Sequence, residues 1–431
     1  MGHLFLVFCV CFVVSFFWES YLKVINYRYA QDPKLKDKAK EQFHLSYEDS
    51  DKALAYRKDR FFYSFYVSLV STAATVVVIF SGLFGYLEGV CEKIASSLGF
   101  GSSASSTVEG LVFFAICICA STLINLPFSY YSQFVIEQKH GFNKMTRKLF
   151  VIDSLKSLII SLILTGVVLV PLLWFISNYE LWWLYSWIFI SIFSVVLTWV
   201  YPTFIQPLFN TFTPLQKDGD LNQALIKLAK KAEFNVDDIS TMNASIRSTH
   251  GNAYFSGIFK KKIVLYDTLV KALSASQVAA VLAHELGHFK LGHIRWGVLR
   301  TILKMGIVFW MVSYLAQSEA MVEGFGFSAM EPMKPYVILL FFFLWQGVVE
   351  SILTPIMSYI SRRDEFAADA YAVSMVNGKD LVDGLLKLSK NSHQFPFFHP
   401  LYSMVYHSHP PLTERFEAIQ KAMTTTNASL S

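Results

Sequence analysis

Seven long apolar stretches constrain the fold of this 431-residue chain more than any other feature of its sequence. A helix that crosses a bilayer needs roughly 20 largely apolar residues, and a spanning segment must satisfy its own backbone hydrogen bonds. The chain is therefore predicted to be an all-α polytopic membrane protein with seven transmembrane helices. The predicted spans are residues 3–22, 61–87, 110–128, 150–176, 181–201, 298–317 and 336–359.

The composition supports a membrane protein and excludes several other classes. Only 16% of the residues are charged, whereas a soluble domain carries about 25%. Charge this sparse excludes an intrinsically disordered chain, and a net charge of +5 is too mild for a dedicated nucleic-acid binder. The first stretch resembles a signal peptide in position, but it lacks a basic start and a small-residue cleavage site. We therefore expect it to span the membrane.

The distribution of lysine and arginine between the spans predicts the orientation of the chain. Residues 23–60 carry ten Lys or Arg and residues 129–149 carry four, whereas residues 177–180 carry none. Cytosolic loops are enriched in these residues, so we expect a lumenal N-terminus and a cytosolic C-terminus. We also expect residues 23–60 to be a solvated helical extension of the first span.

This orientation divides the chain into four parts. We expect residues 1–201 to contain the first five transmembrane helices with their cytosolic loops, and residues 298–359 to contain the last two. Between them, residues 202–297 form a polar insert, and residues 360–431 form a C-terminal part that completes its functional site. Both polar segments are then on the cytosolic side of the membrane, where they can form a single site.

The polar insert shows a mixed pattern of helix and strand. Residues 220–233 are amphipathic with a helical period. Two β-rich runs, residues 252–259 and 262–266, predict a hairpin. Ser274 opens a capping-box pattern, which predicts that a second helix begins there. We therefore expect a mostly helical cytosolic domain that contains a small β-sheet or hairpin.

The helix that begins at Ser274 contains the pattern H-E-x-x-H, which is typical of zinc metalloproteases. His284 and His288 are four residues apart, so they lie on one face of the helix and both can bind one Zn²⁺. Glu285 can reach a water on the metal and accept its proton. A catalytic zinc also needs a third protein ligand and an open fourth position.

Residues just after the seventh predicted span offer the third ligand. Glu365 and Asp369 are four residues apart on one helical face, among apolar neighbours. We expect Glu365 to bind the metal and Asp369 to bind the outer ring nitrogen of a ligand histidine, which fixes the imidazole orientation. His293 and Asp364 are weaker alternatives. His293 is one residue early for an extended three-histidine pattern, and Asp364 points to another side of the helix.

The reaction also needs a donor for the developing oxyanion and a surface for the substrate. Four residues of the C-terminal part are candidate donors, and their spacing does not choose among them. The candidates are His399, His407, His409 and Arg415. The strand that begins at Asn252 could bind a peptide as an added strand, or it could be a buried structural hairpin.

Together these residues resemble those of the type I CAAX prenyl proteases. Matching segments are spread over almost the whole chain, and the set is far more specific than H-E-x-x-H alone. The matches are residues 137–144, 252–255, 263–265, 267–269, 284–293 and 361–363, Glu365, Asp369, and residues 409–412 and 414–415. Asp364 departs from the family pattern, which usually has an aromatic or apolar residue at that position.

The resemblance implies a fold, an activity and a location. Family members are seven-span zinc metalloproteases of the endoplasmic reticulum and inner nuclear membrane, and their helices enclose a water-filled chamber. They remove the last three residues of prenylated CAAX proteins, and some make a second cut upstream. By this resemblance we expect one zinc ion per chain, prenylated CAAX proteins or peptides as substrates, a lipid bilayer around the spans and no nucleic-acid partner.

The resemblance also assigns roles that the spacing leaves open. The histidine of the family's His-Pro-Pro segment is thought to stabilise the transition state, and this selects His409 from the four candidates. The family's Asn-Ala strand lies beside the substrate, which points to Asn252 and Ala253. We expect Arg415 to contribute to substrate binding as well.

Two other functions are compatible with parts of the sequence. The first is a general quality-control protease for membrane proteins with the same zinc chemistry, although that group typically has fewer spans. The second is a channel or transporter with a structural zinc, in which Asp153, Lys304 and Glu350 mark a path. These residues fit a polar chamber equally well. Structural zinc sites usually use cysteine, and no cysteine lies near either ligand helix.

Overall fold

Helices make up most of the structure, which is a computed structural model that describes residues 3–99, 102–216, 218–234, 238–256, 262–327 and 333–430. The helices are α1 (His3–Ala30), α2 (Lys34–Phe43), α3 (Tyr47–Phe80), α4 (Leu83–Ser97), α5 (Ser102–Tyr131), α6 (Arg147–Asn178), α7 (Trp182–Val200), α8 (Asp220–Lys231), α9 (Asp267–Ala272), α10 (Ala275–Lys290), α11 (His293–Leu315), α12 (Glu319–Gly324), α13 (Pro335–Met375), α14 (Gly378–Asn391), α15 (Pro400–Tyr406) and α16 (Leu412–Leu430). The strands are β1 (Phe212–Pro214), β2 (Asp238–Met242), β3 (Ala253–Ser256) and β4 (Lys262–Tyr266). The predicted fold class, a helical polytopic membrane protein with a small sheet, is confirmed.

Seven helices of the described chain are long and apolar enough to cross a membrane, as the sequence predicts. They are α1, α3, α5, α6, α7, α11 and α13, and π-helical turns extend α5 to Glu137 and α7 to Ile205. Helix α13 continues to Met375, well beyond the predicted end of the seventh span at residue 359. This continuation carries Glu365 and Asp369 on the same continuous helix as the span.

The prediction of one helical extension for residues 23–60 is wrong. The segment contains the end of α1, the short helix α2 and the beginning of α3. Helix α2 ends at His44, whose φ of 51° lies in the left-handed region. Ser46 then begins α3 by accepting a hydrogen bond from the backbone N–H of Asp49 at 3.0 Å, which is an N-cap. The polar residues therefore extend the second span as well as the first.

The four strands form one sheet with the order β1-β2-β4-β3, so β3 lies at one edge. Strand β4 pairs parallel with β2 and antiparallel with β3, with Ala253 opposite Leu265. The predicted pairing of the two β-rich runs is confirmed, and the turn at residues 257–261 lies outside the described residues. Ala253 and Leu265 share an apolar core with Leu282 of α10. The sheet therefore rests on the helix that carries the H-E-x-x-H pattern.

Close packing between α10 and α13 brings the two candidate ligand helices together. Gly287 is essential to this contact, because a Cβ atom built on it would lie 3.0 Å from the Cα and 3.1 Å from the carbonyl oxygen of Ala368. Ala368 is itself small and fully buried. The glycine therefore lets the backbones approach, and this approach sets His284 and His288 against Glu365.

Candidate active site

Helix α10 presents two of the candidate ligands on a face fixed by its packing. The helix begins at the predicted capping box. The Ser274 side chain accepts a hydrogen bond from the Gln277 N–H, and the Gln277 side chain accepts one from the Ser274 N–H. Leu282 and its apolar neighbours bury the opposite face in the core of the polar insert. This arrangement directs His284 and His288 toward α13.

Three side chains converge on a point between α10 and α13. The Nε2 atoms of His284 and His288 lie 3.2 Å apart. Oε1 of Glu365 is 3.1 Å from Nε2 of His288, and Oε2 is 3.5 Å from Nε2 of His284. Ligands of a tetrahedral zinc at about 2.0–2.1 Å from the metal would be separated by about 3.3 Å. The three residues are thus a group that could hold one metal ion.

The chemistry of the group also fits a cation. Glu365 is only 1% exposed, and its Oε2 atom is buried without a hydrogen-bond partner in the described part of the chain. A buried oxygen without a partner is costly, and a bound metal ion would supply one. Burial lowers the pKa of His284, but the nearby carboxylates of Asp369 and Glu365 outweigh burial and raise that pKa to about 9. These buried carboxylates therefore favour a positive charge at this position.

Asp369 lies where the sequence predicts, behind the first ligand histidine. Its Oδ1 atom is 2.8 Å from Nδ1 of His284, on the side of the ring that faces away from Glu365. Arg415 binds both oxygens of Asp369, through Nε at 2.9 Å and Nη2 at 2.6 Å. Nη1 of Arg415 also lies 3.8 Å from Oε2 of Glu365, so its charge faces both buried carboxylates. The role of Arg415 in substrate binding stays a prediction.

The two alternative ligands lie outside the metal-binding group. Nδ1 of His293 is 3.0 Å from Nδ1 of His288, so His293 contacts the ligand from the side opposite Glu365. Asp364 is 3.8 Å from Nε2 of His293, and it accepts a hydrogen bond from Arg300 at 2.9 Å. Sequence spacing did not indicate these contacts, because they depend on the turn between α10 and α11.

Glu285 is close enough to the ligand group to interact with its charges. Burial raises the pKa of the Glu285 carboxyl, while the nearby His284 and His288 act in the opposite direction. The net effect is an increase above the usual value. A carboxylate with a raised pKa is a stronger base, and this suits it to accept a proton from water.

The structure separates the candidate oxyanion donors. His409 lies at the metal-binding group, with Nδ1 2.8 Å from Oε1 of Glu365, and its side chain is 72% exposed. His399 instead caps helix α15 through its ring nitrogen. His407 packs among aromatic rings, and burial lowers its pKa to about 4. His409 is therefore the histidine among the three that faces both the metal-binding group and solvent.

Comparison with known proteins identifies the family. Residues 27–211 match the family model of the CAAX prenyl protease N-terminal region with five membrane helices, and residues 215–423 match that of peptidase family M48. The chain is 33% identical to the human CAAX prenyl protease 1 homolog over 86% of each chain. It is 32% identical to CAAX prenyl protease 1 of Saccharomyces cerevisiae, over 94% of this chain and 93% of that one. This chain belongs to the CAAX prenyl protease family.

A solved structure agrees with this assignment along the whole chain. The protease superposes on the crystal structure of S. mikatae Ste24p with a TM-score of 0.90 and 30% sequence identity. The match covers 97% of this chain and 99% of the other. The chain is therefore a membrane-embedded metallopeptidase, as the resemblance in the sequence predicts.

Strand β3 of the protease presents a sheet edge beside the residues predicted to contact substrate. The backbone oxygen of Asn252 accepts a hydrogen bond from the N–H of Tyr266 at 2.9 Å, and its side chain accepts one from the N–H of Ala253 at 2.8 Å. Backbone groups alternate in direction along an antiparallel strand. The carbonyl of Ala253 and the backbone groups of Phe255 are therefore directed toward the outer edge.

The segment at the end of the third span contacts the residues that lead into strand β3. The carboxylate of Glu137 accepts a hydrogen bond from the hydroxyl of Tyr56 at 2.7 Å and lies 3.4 Å from the ring of His250. His250 is two residues before Asn252, and its carbonyl oxygen accepts a hydrogen bond from Thr268. The segment thus ties the spans to the start of β3, which gives residues 137–144 a structural role in the protease.

Charged residues within or near the spans are paired. Lys304 on α11 contacts Glu350 on α13 at 2.9 Å, and Arg247 contacts Asp153 on α6 at 2.8 Å. Both acidic side chains therefore have a cationic partner on another element. This pairing explains how these groups are tolerated in apolar helices.

Proposed function

We propose that the protease uses one Zn²⁺, held by His284, His288 and Glu365, to remove the C-terminal tripeptide from prenylated CAAX proteins. The observation that carries this proposal is the convergence of three ligand atoms at separations suited to zinc, in a chain of the CAAX prenyl protease family. Nitrogen and carboxylate donors with an open position are typical of catalytic zinc. Zinc of this kind acidifies a bound water and polarises a carbonyl group.

In the proposed reaction Glu285 moves the proton. Its carboxylate accepts a proton from the attacking water and donates it to the nitrogen of the leaving tripeptide. The raised pKa of Glu285 supports both steps, because a stronger base accepts the proton readily and holds it until the peptide bond breaks. General acid–base groups of this kind contribute roughly 10²–10⁴-fold to the rate.

We assign stabilisation of the oxyanion to His409. Its ring lies beside Glu365 and is open to solvent, so substrate can reach it. The contact with Glu365 raises the pKa of His409 and favours the protonated ring, which can donate to a developing negative charge. Loss of one such donor costs about 10²–10³ in the rate of other hydrolases.

The substrate is proposed to bind as an added strand along the outer edge of β3. Asn252 and Ala253 then lie beside the peptide, and main-chain hydrogen bonds supply affinity without demanding a particular side chain. This mode suits a CAAX sequence, in which the two residues after cysteine vary. The prenyl group on the cysteine would provide the selectivity that the main-chain bonds lack.

We further propose the endoplasmic reticulum membrane, with the inner nuclear membrane as its continuation, as the location of the protease. The positive charge of residues 23–60 and 129–149 supports a cytosolic position for the zinc site and a lumenal N-terminus. Prenylated proteins are made in the cytosol, so their C-terminal tails can reach a cytosolic site. A second, upstream cleavage of some substrates is part of the same proposal.

The proposal can be tested with matched peptides. The purified protease with zinc is given a CAAX peptide with a farnesyl group on cysteine and the same peptide without it, and the products are identified by mass spectrometry. We expect release of the intact tripeptide and a clear preference for the farnesylated form. Equal cleavage of both peptides at scattered bonds would favour the quality-control protease instead.

A further inference from the structure

The two ligand histidines are supported on their outer nitrogens in different ways. Nδ1 of His284 contacts a carboxylate directly, that of Asp369. Nδ1 of His288 contacts another ring nitrogen, Nδ1 of His293, at 3.0 Å. A metal-bound histidine needs an acceptor at its outer nitrogen to fix its orientation. His288 therefore depends on His293 for that acceptor, and His293 must hold its own proton elsewhere.

The turn between α10 and α11 places His293 in this position. In a continuous helix a residue five positions after His288 would lie about 140° away around the axis. Here α10 ends at Lys290, and Gly292 adopts a φ of +75° before α11 begins. This left-handed residue turns the chain between the two helices, and the side chain of His293 contacts His288. Its side chain is only 13% exposed.

Asp364 lies near the other ring nitrogen of His293, and Arg300 in turn contacts Asp364. Oδ1 of Asp364 lies 3.8 Å from Nε2 of His293, a distance suited to an electrostatic contact. Oδ2 of Asp364 accepts a hydrogen bond from Nη2 of Arg300 at 2.9 Å. Arg300 is on α11, like His293, whereas Asp364 immediately precedes Glu365 on α13. The contact thus joins the two helices on the His288 side of the metal-binding group.

We propose that His293 and Asp364 are positioning residues for His288, and this inference rests on the metal site proposed above. With Nε2 of His288 directed at the metal, Nδ1 carries the proton and donates it to Nδ1 of His293. The proton of His293 is then on Nε2, where the carboxylate of Asp364 stabilises it. Arg300 keeps that carboxylate in place. The order arginine, carboxylate, histidine therefore occurs on both sides of the site.

The contacts that hold His284 are more direct than those that hold His288, and this difference predicts the order of the effects of substitution. On one side Arg415 binds Asp369 through two nitrogens, and Asp369 contacts the ligand His284 directly. On the other side a second histidine intervenes, and the carboxylate is further away. Loss of His293 should therefore affect metal binding more than loss of Asp364, because Asp364 acts only through His293.

The test is titration of the metal-free, detergent-purified full chain with Co²⁺, without any substrate. Affinity is measured by competition with a chelator, and ligand geometry by the visible absorption of bound Co²⁺. We expect His293→Ala to weaken Co²⁺ binding by roughly 10–100-fold and to alter the absorption, with a smaller change of the same kind for Asp364→Asn. Asp364→Glu should restore most of the affinity. Arg363→Gln, which changes an exposed charge next to Asp364, should have no effect.

The double variant decides whether the two residues act in series. If Asp364 acts through His293, then adding Asp364→Asn to His293→Ala should weaken Co²⁺ binding no further. Additive losses, or His293→Ala affinity within about twofold of the wild type, would overturn the inference. A wild-type chain that bound no Co²⁺ would overturn the proposed metal site together with it. Should His293→Ala fail to fold, as judged by circular dichroism, Asp364→Asn alone must lower the affinity or the inference is rejected.

Discussion

Both ring nitrogens of His284 contact a carboxylate, and these contacts determine how substitution of each neighbour affects the site. Its Nδ1 atom contacts Asp369, and its Nε2 atom faces Glu365. Both carboxylates are almost fully buried, so neither can be replaced by water without loss. Glu285, in contrast, is not among the hydrogen-bond partners of this ring in the described part of the chain. Variants of these residues should therefore separate metal binding from catalysis.

Glu285→Gln is predicted to keep the metal and lose the reaction. Glutamine has nearly the same size, but it cannot accept the proton of the attacking water. We expect cleavage of a farnesylated peptide to fall by roughly 10²–10⁴-fold while metal content stays at the wild-type level. The two measurements are peptide cleavage and metal analysis of the same sample. Cleavage near the wild-type rate would remove Glu285 from the mechanism.

Asp369→Asn is predicted to weaken the metal site without removing any ligand. The neutral amide is a poorer partner for His284 and for Arg415, so the ring loses its fixed orientation. Metal affinity should fall by roughly 10–100-fold, as measured by chelator competition. The exposed Glu417→Gln serves as a control for loss of a negative charge elsewhere in the C-terminal part. Unchanged affinity in Asp369→Asn would show that its contacts are dispensable.

The sequence predicted which candidate ligands would lie together, because each helical pair follows from local geometry. His284 and His288 share a helical face through their spacing, and so do Glu365 and Asp369. The contacts of Arg415 and His293 were harder to predict. Arg415 comes from a helix distant in sequence, and His293 follows the turn between α10 and α11. The positive φ of Gly292 is a backbone property of the fold, and spacing along the chain does not reveal it.

At the level of secondary structure, the contact between α10 and α13 matters most to the site. The two helices meet where Gly287 faces Ala368, close along each helix to the candidate ligands His288 and Glu365. In H-E-x-x-H the identity of the middle residues is open, yet here one of them must be small. The pattern alone did not indicate this requirement, because it describes one helix and the requirement comes from a second.

Gly287→Ala is predicted to destabilise the protease and its metal site together. The added Cβ would lie 3.0 Å from the Cα atom of Ala368, so the backbone of α13 must yield by a few tenths of an ångström. Overpacking of this kind costs about 1–3 kcal/mol, and we expect a lower unfolding temperature and weaker metal binding. The control is Gly347→Ala on α13, where a Cβ meets nothing within 4 Å. Equal stability of the two variants would contradict the packing argument.

The spans were easier to predict than their ends. Mean hydropathy identifies the residues that cross a membrane, and the seven predicted stretches fall within seven long helices or overlap them. Mean hydropathy does not show that a helix continues into polar residues beyond the membrane, as α13 does at Glu365. The break of residues 23–60 into separate helices was missed for a related reason. It depends on His44 and Ser46, whose local roles are invisible to a hydropathy average.

Over the whole molecule, the two largest apolar cores of the described residues join different elements. One joins the spanning helices and is rich in phenylalanine, and the other joins the sheet to α10 and α14. Helix α13 belongs to both, since Tyr336 lies in the first core and Ala372 in the second. A single continuous helix thus connects the membrane part to the proposed metal site.

The proposed topology predicts that glycosylation acceptors at the two ends of the chain behave differently. A short tag with an acceptor sequence on the N-terminus should be glycosylated in the endoplasmic reticulum, because that end is expected in the lumen. The same tag on the C-terminus should remain unmodified. The measurement is the change in mass after enzymatic removal of the glycan. Modification at the C-terminus alone would reverse the proposed orientation of the metal site.

The decisive measurement compares metal content and cleavage of a farnesylated CAAX peptide in the wild-type and Glu365→Ala proteins. We predict one zinc ion per wild-type chain and release of the C-terminal tripeptide. We also predict that Glu365→Ala loses both, while the exposed Glu417→Ala retains both. A Glu365→Ala protein that kept one zinc ion per chain and cleaved the peptide at the wild-type rate would contradict the proposed site.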